Sequence, residues 1–236
     1  MREYNLLEEY PALSKPRFVS KNDRNIKHRI IASYREKDFF DGNRSYGYGG
    51  FHYDGRWKKI AEKIKTEYKL SNNSKILQIN SEKGFFLKDM IETLPEAKIY
   101  GVEVSKYAYN NTIEKVKNSI QLIKDYKEIK FEDNFFDFIL CIGVTYTLNL
   151  SDSIKLIKEI ERVGKGKSFL NLASYNTKED FWLMKEWSLL GTMILKKDEW
   201  LEILKHANYS GDYYFTNSGT LNIKNTWTQS LKKFGK

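Results

Sequence analysis

"KILQINSEKGFFLKDM", residues 75–90, reads as a short buried strand, a tight turn and a helix. The strand is KILQI (75–79). The helix, GFFLKDMIETL (84–94), has apolar residues at helical spacing and stops before Pro95. Many nucleotide-binding sheets begin in this way, with glycines in the turn that permit a left-handed backbone and let it approach a ligand. Here the turn is Asn80-Ser81-Glu82-Lys83-Gly84, which keeps a single glycine.

On either side of this stretch the pattern alternates. RWKKIAEKIKTEYKL (56–70) is an amphipathic helix; KIYGVEV (98–104) is a second strand; YAYNNTIEKV (107–116) is a helix and SIQLIKD (119–125) a short strand. FFDFILCIG (135–143) is the most apolar run and belongs at the centre of the sheet, because a strand buried on both faces is continuously apolar. SDSIKLIKEIERV (151–163) is a helix with Ser151 as its expected N-cap, followed by a strand at 167–174 and helices at 178–190 and 196–207. GDYYFTN and GTLNIKN are expected as two closing antiparallel strands. The alternation predicts a parallel sheet with helices on both faces, and a ligand beyond the carboxyl ends of the strands. Residues 1–55 differ: they hold Pro11, Pro16 and the turn-rich DGNRSYGYGGFHYDG (41–55). They form an expected N-terminal extension or lid with a short helix near 24–36, ahead of a domain at 56–236.

The 236 residues suffice for one sizeable domain, and 41% hydrophobic with 15% aromatic content means the chain folds. No apolar run approaches the ~18 residues of a membrane span, and the first residues lack the apolar core of a secretory signal, so a cytoplasmic protein without membrane contact is expected. A single cysteine, Cys141, excludes an intrachain disulfide framework and a cysteine zinc cluster, and no group has metal-ligand spacing, so no metal is expected. The net charge of +9 has two readings: an anionic partner, or lysines scattered over solvated faces. The basic residues are spread along the chain and no nucleic-acid motif is present, so nucleic acid is not the expected partner.

The order of strand, glycine-bearing loop and helix, then GVEVS (101–105), FEDNFFDFIL (131–140) and EIERVGKGKSF (159–169), resembles the class I S-adenosylmethionine-dependent methyltransferases across about residues 56–216. YGYGGFHYDGRW (46–57) and NYSGDYYF (208–215) are similar to a bacterial group associated with surface-polysaccharide biosynthesis. The resemblance implies a Rossmann-like methyltransferase fold with a mostly parallel seven-stranded sheet, S-adenosylmethionine as cofactor, and a small-molecule or nucleotide-sugar-type acceptor in capsule or other surface glycans. In the family the loop runs roughly Asp-x-Gly-Cys-Gly-x-Gly; the matching positions are Gln78, Ile79, Asn80, Ser81, Glu82, Lys83 and Gly84, of which only Gly84 keeps the pattern. By the same match Glu103 takes the place of the acid that holds the ribose hydroxyls, and Asp125, with Tyr126 beside it, the acid near the adenine. The family's His-Asn-Leu is Tyr146-Thr147-Leu148 here, and its Asp-Ser-Tyr is Ala173-Ser174-Tyr175. The alternative this leaves is a catalytically silent relative that pairs with and stabilises an active methyltransferase, as a homo- or hetero-oligomer.

Asn tolerates the left-handed region best after glycine, so Asn80 is compatible with a working turn. Gln78 and Glu82 decide whether the loop holds the cofactor, and Glu82 is the harder to accommodate. Some 4 Å from the cofactor's carboxylate or ammonium it would contribute on the order of 4 kcal/mol, with a sign set by which group it meets. Methyl transfer mainly requires alignment of the nucleophile and exclusion of water. Tyr146 could orient a substrate hydroxyl or simply pack. His52, beside Tyr53, Asp54 and Arg56, could accept a proton in a lid where Arg56 meets an anionic substrate. Equally, this stretch could be an ordered loop in which Asp54 caps the following helix. Tyr53, Arg56 and Tyr175 are the candidate substrate contacts. Trp182, Trp187 and Trp200 lie on helical faces and read as core.

Overall fold

The computed structural model describes residues 1–11 and 15–226. In chain order its strands are β1 (Arg2–Glu3), β2 (Arg17–Val19), β3 (Lys75–Ile79), β4 (Lys98–Glu103), β5 (Ile120–Leu122), β6 (Phe138–Cys141), β7 (Ser168–Ala173), β8 (Asp212–Thr216) and β9 (Ile223–Asn225). The helices are α1 (Ile26–Ser33), α2 (Lys37–Phe40), α3 (Lys58–Glu67), α4 (Phe85–Thr93), α5 (Lys106–Asn110), α6 (Leu150–Val163), α7 (Lys178–Trp187) and α8 (Lys197–His206). Seven strands form one parallel sheet in the order β1-β8-β7-β6-β3-β4-β5, and β2 pairs with β9 in a separate two-stranded sheet. This is the Rossmann-like arrangement expected of the sequence. The strand order reverses between β3 and β6, which puts the favoured ligand position beside the carboxyl end of β3.

The central strands read as unbroken apolar runs because alternate residues feed two cores. Ile76, Phe138, Leu140 and Phe169 pack on one face with Ile60 and Ile64 of α3 and Phe86 and Met90 of α4. Leu77, Ile139, Cys141 and Leu170 pack on the other with Leu156 and Ile160 of α6 and Trp200 and Leu204 of α8. Trp200 is a fully buried core residue, whereas Trp182 is half exposed.

Three local expectations are corrected. The two closing strands are not an antiparallel pair: β8 runs parallel to both β7 and β1. The turn after it, held by Leu221 N–H on Asn217 O and Ile223 N–H on Ser218 O, carries the chain out of the sheet to pair with β2. The N-cap of α6 is Asn149 rather than Ser151, since its side chain accepts from Asp152 N at 2.9 Å. The helix expected over 107–116 ends at Asn110; Ile113 N–H turns to Lys83 O, and a 3-10 turn follows at Glu114–Ser119. No described helix is long and apolar enough to cross a membrane.

Candidate cofactor site

The loop between β3 and α4 carries the conformation that glycines would supply. Asn80 and Glu82 have φ of +64° and +52°, and Gly84, the N-cap of α4, has +78°. At Gly84 the requirement is also steric, because an added Cβ would lie 2.6 Å from Val116 Cγ2. Gly84→Ala should therefore cost about 2 kcal/mol, combining left-handed strain with overpacking. A urea unfolding midpoint equal to that of the parent chain would contradict this.

Glu103 ends β4 fully buried. One carboxylate oxygen accepts from the N–H groups of Val104 (2.9 Å) and Ser105 (2.8 Å), and the other from Glu82 N–H (2.7 Å). Burial pushes its pKa up, and these N–H donors, with the Arg35 charge, oppose the rise. Beside it Gln78 is buried; its amide nitrogen donates weakly to Asn80 O at 3.4 Å, while its Oε1 has no hydrogen-bond partner.

The loop's side chains Asn80, Glu82 and Lys83 turn toward the N-terminal extension. Arg35, itself at φ +51°, donates to Asn80 Oδ1 at 2.6 Å, and Tyr126 donates to the same oxygen at 3.0 Å. Glu82 Oε1 accepts from the Tyr48 hydroxyl at 2.6 Å. Lys83 pairs with Asp41 Oδ2 at 2.6 Å and donates to Phe51 O at 3.0 Å. Asp41 also accepts from Tyr107 (2.7 Å) and from Phe51 N–H (2.9 Å). Ser105 Oγ donates to Arg35 O at 2.5 Å. Tyr48 stacks on Phe51 and Phe51 on Phe85, at 4.4 and 4.7 Å between ring centres. Residues 35–53 are thus fastened over the carboxyl ends of β3 and β4 by the loop itself.

The electrostatics follow from this closeness. Burial pushes the Glu82 carboxyl up to about 7; the Tyr48 hydrogen bond pulls the other way and the Glu103 charge adds to the rise. Burial works against the Arg35 charge, but Tyr126, Glu103, Tyr48 and Glu82 outweigh it. Tyr146, in the 3-10 turn Thr145–Thr147 after β6, also feels Arg35 and Glu82; burial raises its pKa, so it is a neutral phenol near neutral pH.

The structure thus gathers Gln78, Asn80, Glu82, Gly84, Glu103 and Tyr146 at one edge. The other sequence candidates lie apart from this cluster of bonds. Asp125 accepts from Lys127 N–H and pairs with its Nζ at 3.8 Å, while its neighbour Tyr126 reaches the loop. His52 is exposed. Tyr53 donates to Asp89 of α4, and Arg56 pairs with Asp54 and donates to Tyr10. Asp54 does accept from Arg56 N–H at 3.2 Å, although α3 itself begins after Trp57 without a side-chain cap. Tyr175 packs edge-on against Phe181. Arg35, Asp41 and Tyr48 were missed, since nothing periodic marks them; the one available signal was the aromatic- and glycine-rich run that follows Asp41. Two surface hollows of about 500 and 460 Å³, one lined by Phe131 and Arg162 and the other by Lys58 and Glu92, include none of the loop residues. Among the described residues no group of three potential metal ligands occurs.

Residues 77–171 match the family model described as a methyltransferase domain. Among solved structures the chain is similar to a candidate methyltransferase from Bacillus halodurans, at 18% identity and a TM-score of 0.50, covering 62% of this chain and 67% of that one. It is likewise similar to the YcgJ protein of Bacillus subtilis, at 16% identity and a TM-score of 0.51, covering 62% and 66%. These likenesses concern the fold, and the chain spans about two thirds of the length of each. No curated protein sequence matches it.

Proposed function

We propose that the chain, whose residues 77–171 match a methyltransferase domain, uses S-adenosylmethionine as cofactor and transfers a methyl group to a small anionic or sugar-linked acceptor of surface-glycan biosynthesis. The single observation that carries the reading is the buried Glu103 carboxylate at the end of β4, beside a left-handed loop and the unpartnered Gln78 Oε1. These residues fit the cofactor. Gln78 Oε1 is an acceptor for its ammonium group, and Glu103 Oε2 keeps capacity for a ribose hydroxyl. S-adenosylmethionine supplies an electrophilic methyl carbon on a sulfonium. The chain's own part is to hold the nucleoside, exclude water under the lid formed by residues 35–53, and orient the acceptor through the Tyr146 phenol. The net charge of +9 and the sequence of residues 46–57 support the anionic, glycan-linked acceptor. Asp125, His52, Tyr53, Arg56 and Tyr175 enter this proposal only as contacts made by a moving lid or a bound acceptor.

Glu103→Gln tests the reading. It retains the side-chain shape and one acceptor but removes the charge. Calorimetric titration with S-adenosylhomocysteine should show affinity reduced about ten-fold, or 1.4 kcal/mol, with the circular dichroism unchanged. Equal affinity in a folded variant would remove Glu103 from the site.

A second reading is a silent subunit that stabilises an active relative. The bonds from Asn80, Glu82 and Lys83 into the extension favour it, since they use loop groups that would otherwise face a ligand.

A further inference from the structure

We infer that the Glu82 side chain stands where the amino-acid end of the cofactor must go, so that Glu82 sets how tightly the site holds S-adenosylmethionine and its demethylated product. The inference rests on the cofactor reading above. Three observations lead to it.

Glu82 holds φ +52° without being glycine, next to Asn80 at +64°. Such a conformation costs a non-glycine residue roughly 1–2 kcal/mol and persists only where the surroundings compensate. The compensation is visible. Glu82 Oε1 takes the Tyr48 hydroxyl, Glu82 N–H takes the Glu103 carboxylate, and the Arg35 cation lies in the field of both acids. The groups that satisfy the Glu82 carboxylate, a guanidinium field and a phenol from the extension, would equally satisfy an α-carboxylate. Arg35 itself donates to the neutral Asn80 Oδ1 and makes no ion pair within 4 Å among those described, so it retains donors for an anion. Finally, Gln78 Oε1 is buried near the carboxyl end of β3, next to the loop, without a partner, an acceptor suited to an α-ammonium. The chain therefore carries both an amino-acid subsite, made by Arg35, Tyr48 and Gln78, and a built-in occupant for its anionic half.

The test uses the full chain and two probes: S-adenosylhomocysteine, and 5′-methylthioadenosine, which keeps the nucleoside and thioether but has no amino-acid end. Glu82→Gly removes the carboxylate and suits the left-handed backbone, so the variant should fold at least as well as the parent. Calorimetry should show S-adenosylhomocysteine binding about ten-fold tighter, a gain of 1.4 kcal/mol. 5′-Methylthioadenosine should change little, and adding Arg35→Ala should cancel the gain. If 5′-methylthioadenosine binds but Glu82→Gly leaves S-adenosylhomocysteine unchanged or weaker, the inference is overturned and the cofactor reading stands. An equal gain for both probes would reduce Glu82 to a steric obstacle and overturn the subsite. If neither probe binds any folded variant, the cofactor reading fails and the inference with it.

Discussion

Asp41→Ala should destabilise the fold by about 3 kcal/mol and release residues 35–53 from the loop. Lys83 is 8% exposed and Asp41 20%, so the pair is largely withdrawn from water. Removing one partner of such a pair leaves a buried charge uncompensated, at a cost of about 3–5 kcal/mol, and the partial exposure of Asp41 places this case at the lower end. Tyr107 and the Phe51 N–H lose an acceptor in the same step. Limited proteolysis should then cut within the glycine-rich stretch that follows Asp41, well before the rest of the chain. A pH signature accompanies this. Burial alone would raise the Asp41 carboxyl, but Lys83, Phe51 N–H and Tyr107 outweigh it and bring it down to about 2. A carboxyl depressed in the folded state binds fewer protons there than in the unfolded chain. Its stabilisation is therefore full above the unfolded value near 3.8 and lost as pH falls toward 2. That loss, of about 2 kcal/mol, should be absent in Asp41→Asn. Parent and Asp41→Ala chains with equal urea midpoints and equal cutting patterns would contradict the fastening described here.

Trp200→Ala should cost about 3–5 kcal/mol, as large a loss as any single substitution in the sheet's cores. The ring is fully buried between α8, the sheet and α6, and its Nε1–H donates to Ala173 O at 2.8 Å, at the carboxyl end of β7. Ala173 O also accepts from Leu195 N–H, so truncation leaves chiefly a cavity rather than an orphaned carbonyl. Trp200→Phe, which fills most of that space and loses only the hydrogen bond and part of the ring, should cost about 1–2 kcal/mol. Urea unfolding followed by circular dichroism gives both values. A near-neutral Trp200→Ala would mean that the ring is not a core residue.

The sheet was legible in the sequence because its strands are short continuous apolar runs, and its helices keep a 3.6-residue period between them. The end of the chain was not. GTLNIKN has strand composition, but composition does not say which strand it will meet, and its partner Arg17–Val19 lies some 200 residues earlier. Such non-local pairing leaves no local signal. At the site, the loop and the acid at the end of β4 could be found because both sit at fixed places in a βαβ unit. Glu82, with Gln78, was identified as decisive, but its partners were not. Tyr48 reaches it, and Arg35 reaches the neighbouring Asn80, from a segment whose order comes from aromatic stacking and partly buried polar bonds, and neither is periodic. The side chains of the loop become readable only with that segment in place: Asn80, Glu82 and Lys83 each bond a residue of the extension.

The central claim, that S-adenosylmethionine sits at the carboxyl ends of β3 and β4 beneath residues 35–53, is tested most directly by hydrogen–deuterium exchange of the full chain with and without millimolar S-adenosylhomocysteine. Slower exchange is predicted in peptides covering 80–84 and 103–105, with a change in either direction across 35–53 as the segment rearranges over the ligand. Protection confined to other elements, or none at a concentration where calorimetry records binding, would contradict the account.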